Sequence, residues 1–113
     1  MDILFGGFDT YFRVLLSLMI SDYISGVLTA LYKKEFHSSI GYKGIIKKVG
    51  MLVCITVAKQ IDTLNIYDGD IAVRSVVLLF FSINESLSIV ENLKKIGISI
   101  PEVIIKTLKK WKK

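Results

Sequence analysis

The chain has 113 residues, 52% of them hydrophobic and 22% charged, with a formal net charge of +5 and a mean hydropathy of +0.55. That length allows one domain at most, and a composition both this apolar and this charged suggests a small membrane protein with charged ends and loops and some charge inside. A single cysteine, Cys54, excludes an internal disulfide framework, and the lone His37 leaves no metal cluster or catalytic triad to argue for.

The N-terminal stretch Met1 to Asp9 carries Asp2, Asp9 and the pair Gly6-Gly7. It has no basic leader and no small-residue cleavage site, so the apolar segment that follows is expected to be retained. That segment, Thr10 to Lys33, has helical periodicity and no proline. Ser17, Ser21, Ser25 and Thr29 form one row, and Asp22, Gly26 and Ala30 form the next. Small residues spaced by four let helices approach closely in lipid, so Ser21, Ser25, Gly26 and Ala30 are assigned to helix packing. Asp22 lies near the middle, where an acid costs ~2.5–3.5 kcal/mol on insertion scales. It must be protonated, paired or facing water.

Lys34 to Tyr42 reads as a loop, with Ser38, Ser39 and Gly41 as turn formers and lysines on both sides. It lacks Walker spacing, which rules out a phosphate loop. Gly44 to Ile61 is the weakest span, with a clean apolar run only from Val49 to Ala58, and a helix that turns back is the rival to a crossing. Lys47 and Lys48 are expected to snorkel to one interface and Lys59 to the other. Cys54 is read as a small apolar packing residue. Asp62 to Asp70 is an acidic exposed loop, without the length or terminal Glu of an EF-hand.

Ile71 to Asn92 organises the chain. It is long enough to cross a bilayer, yet it contains Arg74 and Glu85. Arg74, Leu78, Phe81, Glu85, Ser88 and Asn92 recur at spacings of three and four and share one face. Asp22, Arg74, Glu85, Ser88 and Asn92 are therefore the candidate pore-lining or polar packing residues. Lys94-Lys95-Ile96-Gly97 is a helix stop, and Ser99-x-x-Glu102 with Pro101 is a helix start. The segment from Pro101 sets Val103, Ile104, Leu108 and Trp111 against Lys106, Lys109, Lys110, Lys112 and Lys113. Such a helix suits an anionic membrane surface.

These elements predict an all-α membrane protein, one domain over residues 1–113. Three transmembrane helices at about 10–33, 44–61 and 71–92 precede a basic amphipathic helix at about 100–112. Lysines around the first loop and at the C-terminus place both in the cytoplasm. The acidic N-terminus and acidic second loop lie outside. The basic clusters flank apolar segments, so topology explains them better than nucleic-acid binding does. No span is comfortable alone, because Asp22 and Glu85 oppose insertion. Polar faces can meet within one chain, by pairing Asp22 or Glu85 with Arg74 or Lys59. Alternatively, several copies can ring an aqueous lumen, giving a homo-oligomeric pore. No nucleophile–base pair, metal cluster or cofactor motif points to an enzyme. A narrow channel, a non-conducting regulator and a soluble helical module are the alternatives.

Two runs carry a family resemblance. DYISGVLTALYKKEFHSSIGYKGIIKKVG, from Asp22, and RSVVLLFFSINESLSIVENLKKIGISIP, from Arg74, resemble the phage holin family that includes the clostridial toxin-secretion holins. Asp22, Gly26, Ala30, Ser38, Ser39, Gly41, Gly44 and Lys48 match the first block. Glu85, Ser88, Ile89, Glu91, Asn92, Gly97 and Pro101 match the second, and the string of acid, serine, acid and amide is the more specific signal. The resemblance implies a protein of the bacterial cytoplasmic membrane that oligomerises and permeabilises it at a set time. An endolysin or a large toxin is then released. It implies no cofactor and no catalytic residues. The lack of a long hydrophilic tail leaves both hole-forming and antiholin roles open.

Overall fold

The structure, a computed structural model, describes residues 2–34, 38–66 and 68–111. It contains five helices: α1 (Asp2–Phe5), α2 (Thr10–Tyr32), α3 (Ser38–Leu64), α4 (Val73–Lys95) and α5 (Glu102–Trp111). No strand occurs among the described residues. Two helices, α2 and α4, are long and apolar enough to cross a membrane, each of 23 residues. At 1.5 Å per residue each reaches ~34 Å, against a hydrocarbon core of ~30 Å.

The order of cross-chain contacts fixes the directions. Asp9 meets Arg74 at one end of α2 and α4, and Thr29 meets Asn92 towards the other. These two helices run parallel, and α3 returns between their ends, antiparallel to both. The most extensive contact is between α2 and α4, with α3 packed mainly on α4 and only lightly on α2. The core sits near the starts of α2 and α4, where Phe12, Leu15, Met19, Ile55 and Leu78 are buried. Outward positions stay apolar: Ile20, Ile24, Leu28, Val53, Val57, Leu79 and Phe80 are all exposed. An apolar outer surface around a partly polar interior inverts the arrangement of a water-soluble bundle.

Local chemistry sets the helix ends. The Asp9 side chain accepts from the Phe12 amide at 3.0 Å and caps α2. The start of α4 is capped from outside its own segment. Asp62, at the end of α3, accepts from the amides of Val73 at 2.8 Å and Arg74 at 2.9 Å. A carboxylate there also complements the helix dipole. At the other end of α4, Gly97 takes φ 89°. The Ile98 amide bonds back to the Leu93 carbonyl, and the Gly97 amide to that of Lys94. This is the Schellman arrangement, and it confirms the expected stop.

Several sequence expectations change. The second helix runs from Ser38 to Leu64 rather than 44–61, so Ser38, Ser39 and Gly41 belong to a helix and not to a turn. The helix expected at 71–92 runs from Val73 to Lys95. Asp62 is an interhelix cap rather than part of a free acidic loop. Cys54 is exposed rather than packed. The last helix begins at Glu102, so Pro101 precedes it instead of sitting in its first turn. His37 lies outside the described residues.

Candidate functional site

Three helices each bring one charged residue to the same level. Asp22 stands at the middle of α2 and Glu85 at the middle of α4. The Lys48 ammonium of α3 donates to Asp22 Oδ2 at 2.8 Å and to Glu85 Oε1 at 2.7 Å. All three side chains are largely buried, at 17% exposure for Lys48, 14% for Asp22 and 10% for Glu85. The ammonium neutralises one carboxylate and is shared by both, so the cluster carries one formal negative charge. A bare acid at this depth would oppose insertion; the ion pairs and their hydrogen bonds offset that cost.

The snorkelling assigned to Lys48 is therefore overturned. Its ammonium turns into the bundle because two carboxylates wait there, and a paired interior site outweighs a reach to the interface. A signal for this was present in the spacing. Gly44, Lys48, Leu52, Ile55, Ala58 and Asp62 recur by three and four, so Lys48 lies on the inward stripe of α3. Pairing of Asp22 or Glu85 with Arg74 or Lys59 is overturned as well, since Lys48 takes both acids.

A polar ladder extends from the cluster towards the end of α4. Asn92 Nδ2 donates to Ser25 Oγ at 2.9 Å and to Asp22 Oδ1 at 3.3 Å. The Ser25 hydroxyl donates to the Asp22 carbonyl at 3.0 Å. The Thr29 hydroxyl lies 2.8 Å from the Ser25 carbonyl and 2.9 Å from that of Asn92, and its proton serves either. The Asn92 carbonyl is one of the last four of α4, which have no partner inside their own helix. Among the described residues no buried side-chain nitrogen or oxygen lacks a partner.

Of the candidate packing residues, Ser25, Gly26 and Ala30 face this ladder and the cavity beside it, whereas Ser21 is exposed. Ser88 lines the same cavity. Glu85, Ser88 and Asn92 thus face α2 and α3 of their own chain.

Arg74 is not part of the cluster. It sits one end of α4 away, where its Nη1 donates to Asp9 Oδ2 at 2.7 Å and its Nη2 to the Gly7 carbonyl at 3.1 Å. Its Nε donates to the Phe5 carbonyl. The guanidinium lies 5.8 Å from the centre of the Phe12 ring. It ties α1 and the α1–α2 connection to the start of α4. The hydrogen bond from Arg74 holds the Asp9 carboxyl below its ordinary range; desolvation opposes this, and the Phe12 amide assists it.

The last helix keeps its charges outside. Lys106, Lys109 and Lys110 are exposed, and so are Val103, Ile104 and Trp111, while Ile105 and Leu108 are half-buried. Lys112 and Lys113 lie outside the described residues.

Comparison with known proteins adds a family. The bacteriophage holin family model matches residues 1–113. A probable holin of Bacillus phage phi105 is 39% identical over 94 residues, which is 83% of this chain and 68% of that protein. A 14.9 kDa protein encoded in the nagH 3′ region of Clostridium perfringens is 37% identical over 106 residues, 94% of this chain and 80% of its own. A protein of Listeria monocytogenes is 40% identical over 101 residues, 89% of this chain and 71% of its own. No solved structure matches the chain.

Proposed function

The chain belongs to the bacteriophage holin family, and on that premise we propose that it crosses the bacterial cytoplasmic membrane three times and permeabilises it as a homo-oligomer. The observation that carries this reading is the direction of α2 and α4. Both are apolar enough to cross, and they run parallel. A chain that crosses twice in the same direction must cross back between them. The returning segment is α3, whose 27 residues reach ~40 Å. Its charge at Lys48 is tolerable in lipid because Asp22 and Glu85 neutralise it.

In this reading the N-terminus and the 65–72 connection are outside. The 33–37 connection and α5 are cytoplasmic, consistent with the lysines flanking them. The basic face of α5 rests on the anionic leaflet. The passenger is an endolysin or a large toxin; the chain itself has no enzymatic role, needs no cofactor and binds no nucleic acid. Permeabilisation requires the ionic cluster to exchange its intrachain partners for water or for neighbouring subunits. The silent and open states then differ in what surrounds the same charges.

One observation favours a second reading, a non-conducting antiholin or regulator. Among the described residues, the buried polar groups of the three long helices already find partners inside a single chain. Expression beside a cytoplasmic reporter enzyme separates the two. Abrupt release of the folded enzyme supports the hole. Leakage of ions or dye alone indicates a narrow channel. Harmless expression with no release indicates the regulator.

A further inference from the structure

A half-open cavity of about 170 Å³ lies between α2, α3 and α4, on the side of the ionic cluster away from the apolar core. Its floor is Asp22 and Lys48. Its walls include Gly26, Val27, Ala30, Gly44, Ser88 and Asn92. At ~30 Å³ per molecule it has room for several waters; its lining is mostly apolar, and Asp22, Lys48, Ser88 and Asn92 are the groups that can bond them. Tyr23 stands at the α2–α3 edge of the cavity: a Cβ on Gly41 would stand 3.0 Å from its hydroxyl, and one on Gly44 3.9 Å from its ring. Beyond the cluster the packing is dry. Met19, Leu15 and Phe12 of α2, with Ile55 and Leu78, leave almost no accessible surface. By helix rise, the stretch from Asp22 to Ala30 is ~12 Å deep and the plug from Met19 to Phe12 is ~10 Å thick.

We propose that a single chain carries a water-filled vestibule, open at the cytoplasmic end, that stops at Asp22, Lys48 and Glu85 and is sealed towards the outer face by Phe12, Leu15, Met19, Ile55 and Leu78. The sidedness rests on the three-span reading; the vestibule and its seal do not. Asp22 lies on the floor beside Lys48, and Glu85, behind them, shares the same ammonium; with two carboxylates around one cation, the vestibule admits small cations in preference to small anions. It hydrates the cluster in the silent state and leaves the apolar plug as the barrier to ions. Opening then means displacing those five apolar side chains as well as exchanging the intrachain partners of the cluster.

The test is thiol labelling of the full-length chain, with Cys54→Ser as background, in sealed inside-out and right-side-out vesicles that retain an entrapped dye. Ser88→Cys and Ala30→Cys report on the vestibule and Met19→Cys on the plug. Lys95→Cys and Asp68→Cys mark the two ends of the bundle. Small water-soluble thiosulfonates, one cationic and one anionic, are the probes. Ser88→Cys is expected to react from the same side as Lys95→Cys and to be protected from the other, with Met19→Cys protected from both. The cationic reagent is expected to react about tenfold faster than the anionic one, and Asp22→Asn to remove most of that difference. Protection of both Ser88→Cys and Ala30→Cys from either side overturns the vestibule. Labelling of Met19→Cys as readily as Ser88→Cys overturns the seal, and equal rates for the two reagents overturn the charge preference. If Lys95→Cys and Asp68→Cys react from the same side, the three-span reading fails by itself, and the vestibule is still judged by Ser88→Cys against Met19→Cys.

Discussion

The Lys48 ammonium stands 2.7 Å from Glu85 Oε1, and the same nitrogen reaches Asp22 at 2.8 Å. One cation from α3 therefore holds the centres of α2 and α4 together. Lys48→Met keeps the length of the side chain and removes its charge, leaving two buried carboxylates facing each other. Breaking a buried pair in this way costs ~3–5 kcal/mol. Expected is a sharp fall in resistance to thermal or detergent unfolding. A triple variant that also carries Asp22→Asn and Glu85→Gln should recover most of the loss, because no unpaired charge remains. Unfolding monitored by circular dichroism in detergent checks both; a Lys48→Met protein as stable as the parent contradicts the central role of the cluster.

Single neutralisation of the acids has a different outcome. Glu85→Gln or Asp22→Asn leaves Lys48 with one carboxylate, and the cluster becomes formally neutral. A neutral cluster has less to gain from exchange of its intrachain partners. The onset or extent of permeabilisation should therefore shift. Dye release from cells expressing each variant measures it, and unchanged timing for both variants removes the ionic cluster from the trigger.

Much of this arrangement was legible in the residues. The periods of three and four placed Leu78, Glu85, Ser88 and Asn92 on one face of α4, and the structure turns that face inward. Gly97 after two lysines marked the end of α4, because only a left-handed residue closes that turn. What the sequence could not settle was pairing. Lys47 and Lys48 stand side by side, and the spacing puts only Lys48 on the inward stripe of α3; which acids meet it there is decided by the packing of α3 on α2 and α4. Arg74 shares a helix face with Glu85, but its position in the first turn of α4 puts it at the opposite end from Asn92, beside Asp9. Asp62 resembles a loop acid until α3 is seen to continue past it. Long-range partners of charged residues depend on which helices are neighbours, and local spacing does not encode that.

The clamp at Arg74 predicts a pH dependence. Arg74 holds the Asp9 carboxyl below its ordinary value of 3.8, and that pairing is stronger in the folded chain than in the unfolded one. A depressed acid contributes stability that is fully present above its unfolded pKa and is lost as pH falls through the folded value. Docking of α1 should therefore hold at neutral pH and weaken only on acidification below the ordinary carboxylate range. A spin label at Ile3→Cys in a Cys54→Ser background should gain mobility at that point. Asp9→Asn should be mobile throughout, with no pH step. Arg74→Lys should not restore docking, because an ammonium cannot reproduce the planar fork that serves Phe5, Gly7 and Asp9.

Tyr23 and Gly41 set the α2–α3 contact, and two glycines should respond differently to alanine. A Cβ at Gly26 would meet Asn92 at 3.7 Å, an ordinary contact, so Gly26→Ala should be tolerated or stabilise by up to ~1 kcal/mol through helix propensity. A Cβ at Gly41 would stand 3.0 Å from the Tyr23 hydroxyl, so Gly41→Ala forces the ring to move. Loss of ~1–3 kcal/mol from overpacking should outweigh the propensity gain. Adding Tyr23→Phe removes the crowding atom and should rescue the variant. Thermal midpoints of the two single variants and the double variant check this; a Gly41→Ala protein no worse than Gly26→Ala would show that the contact has slack.

Trp111 is the only tryptophan in the chain, which makes α5 readable by fluorescence. Ile105 and Leu108 are half-buried and α5 touches α4, while Val103, Ile104 and Trp111 are exposed beside Lys106 and Lys110. An apolar strip bordered by lysines fits an anionic lipid surface, where each lysine contributes ~1 kcal/mol. In proteoliposomes containing anionic lipid, Trp111 emission should be blue-shifted and shielded from acrylamide, and more so than in purely zwitterionic lipid. Replacing Lys106, Lys109 and Lys110 by glutamate should expose Trp111 in both. Removal of residues 101–113 should leave the chain in the membrane fraction while altering the timing of permeabilisation, since α2 and α4 carry the insertion energy. Trp111 equally exposed in both lipids would free α5 from the leaflet, and loss of the truncated chain from the membrane would make α5 an anchor instead of a regulator.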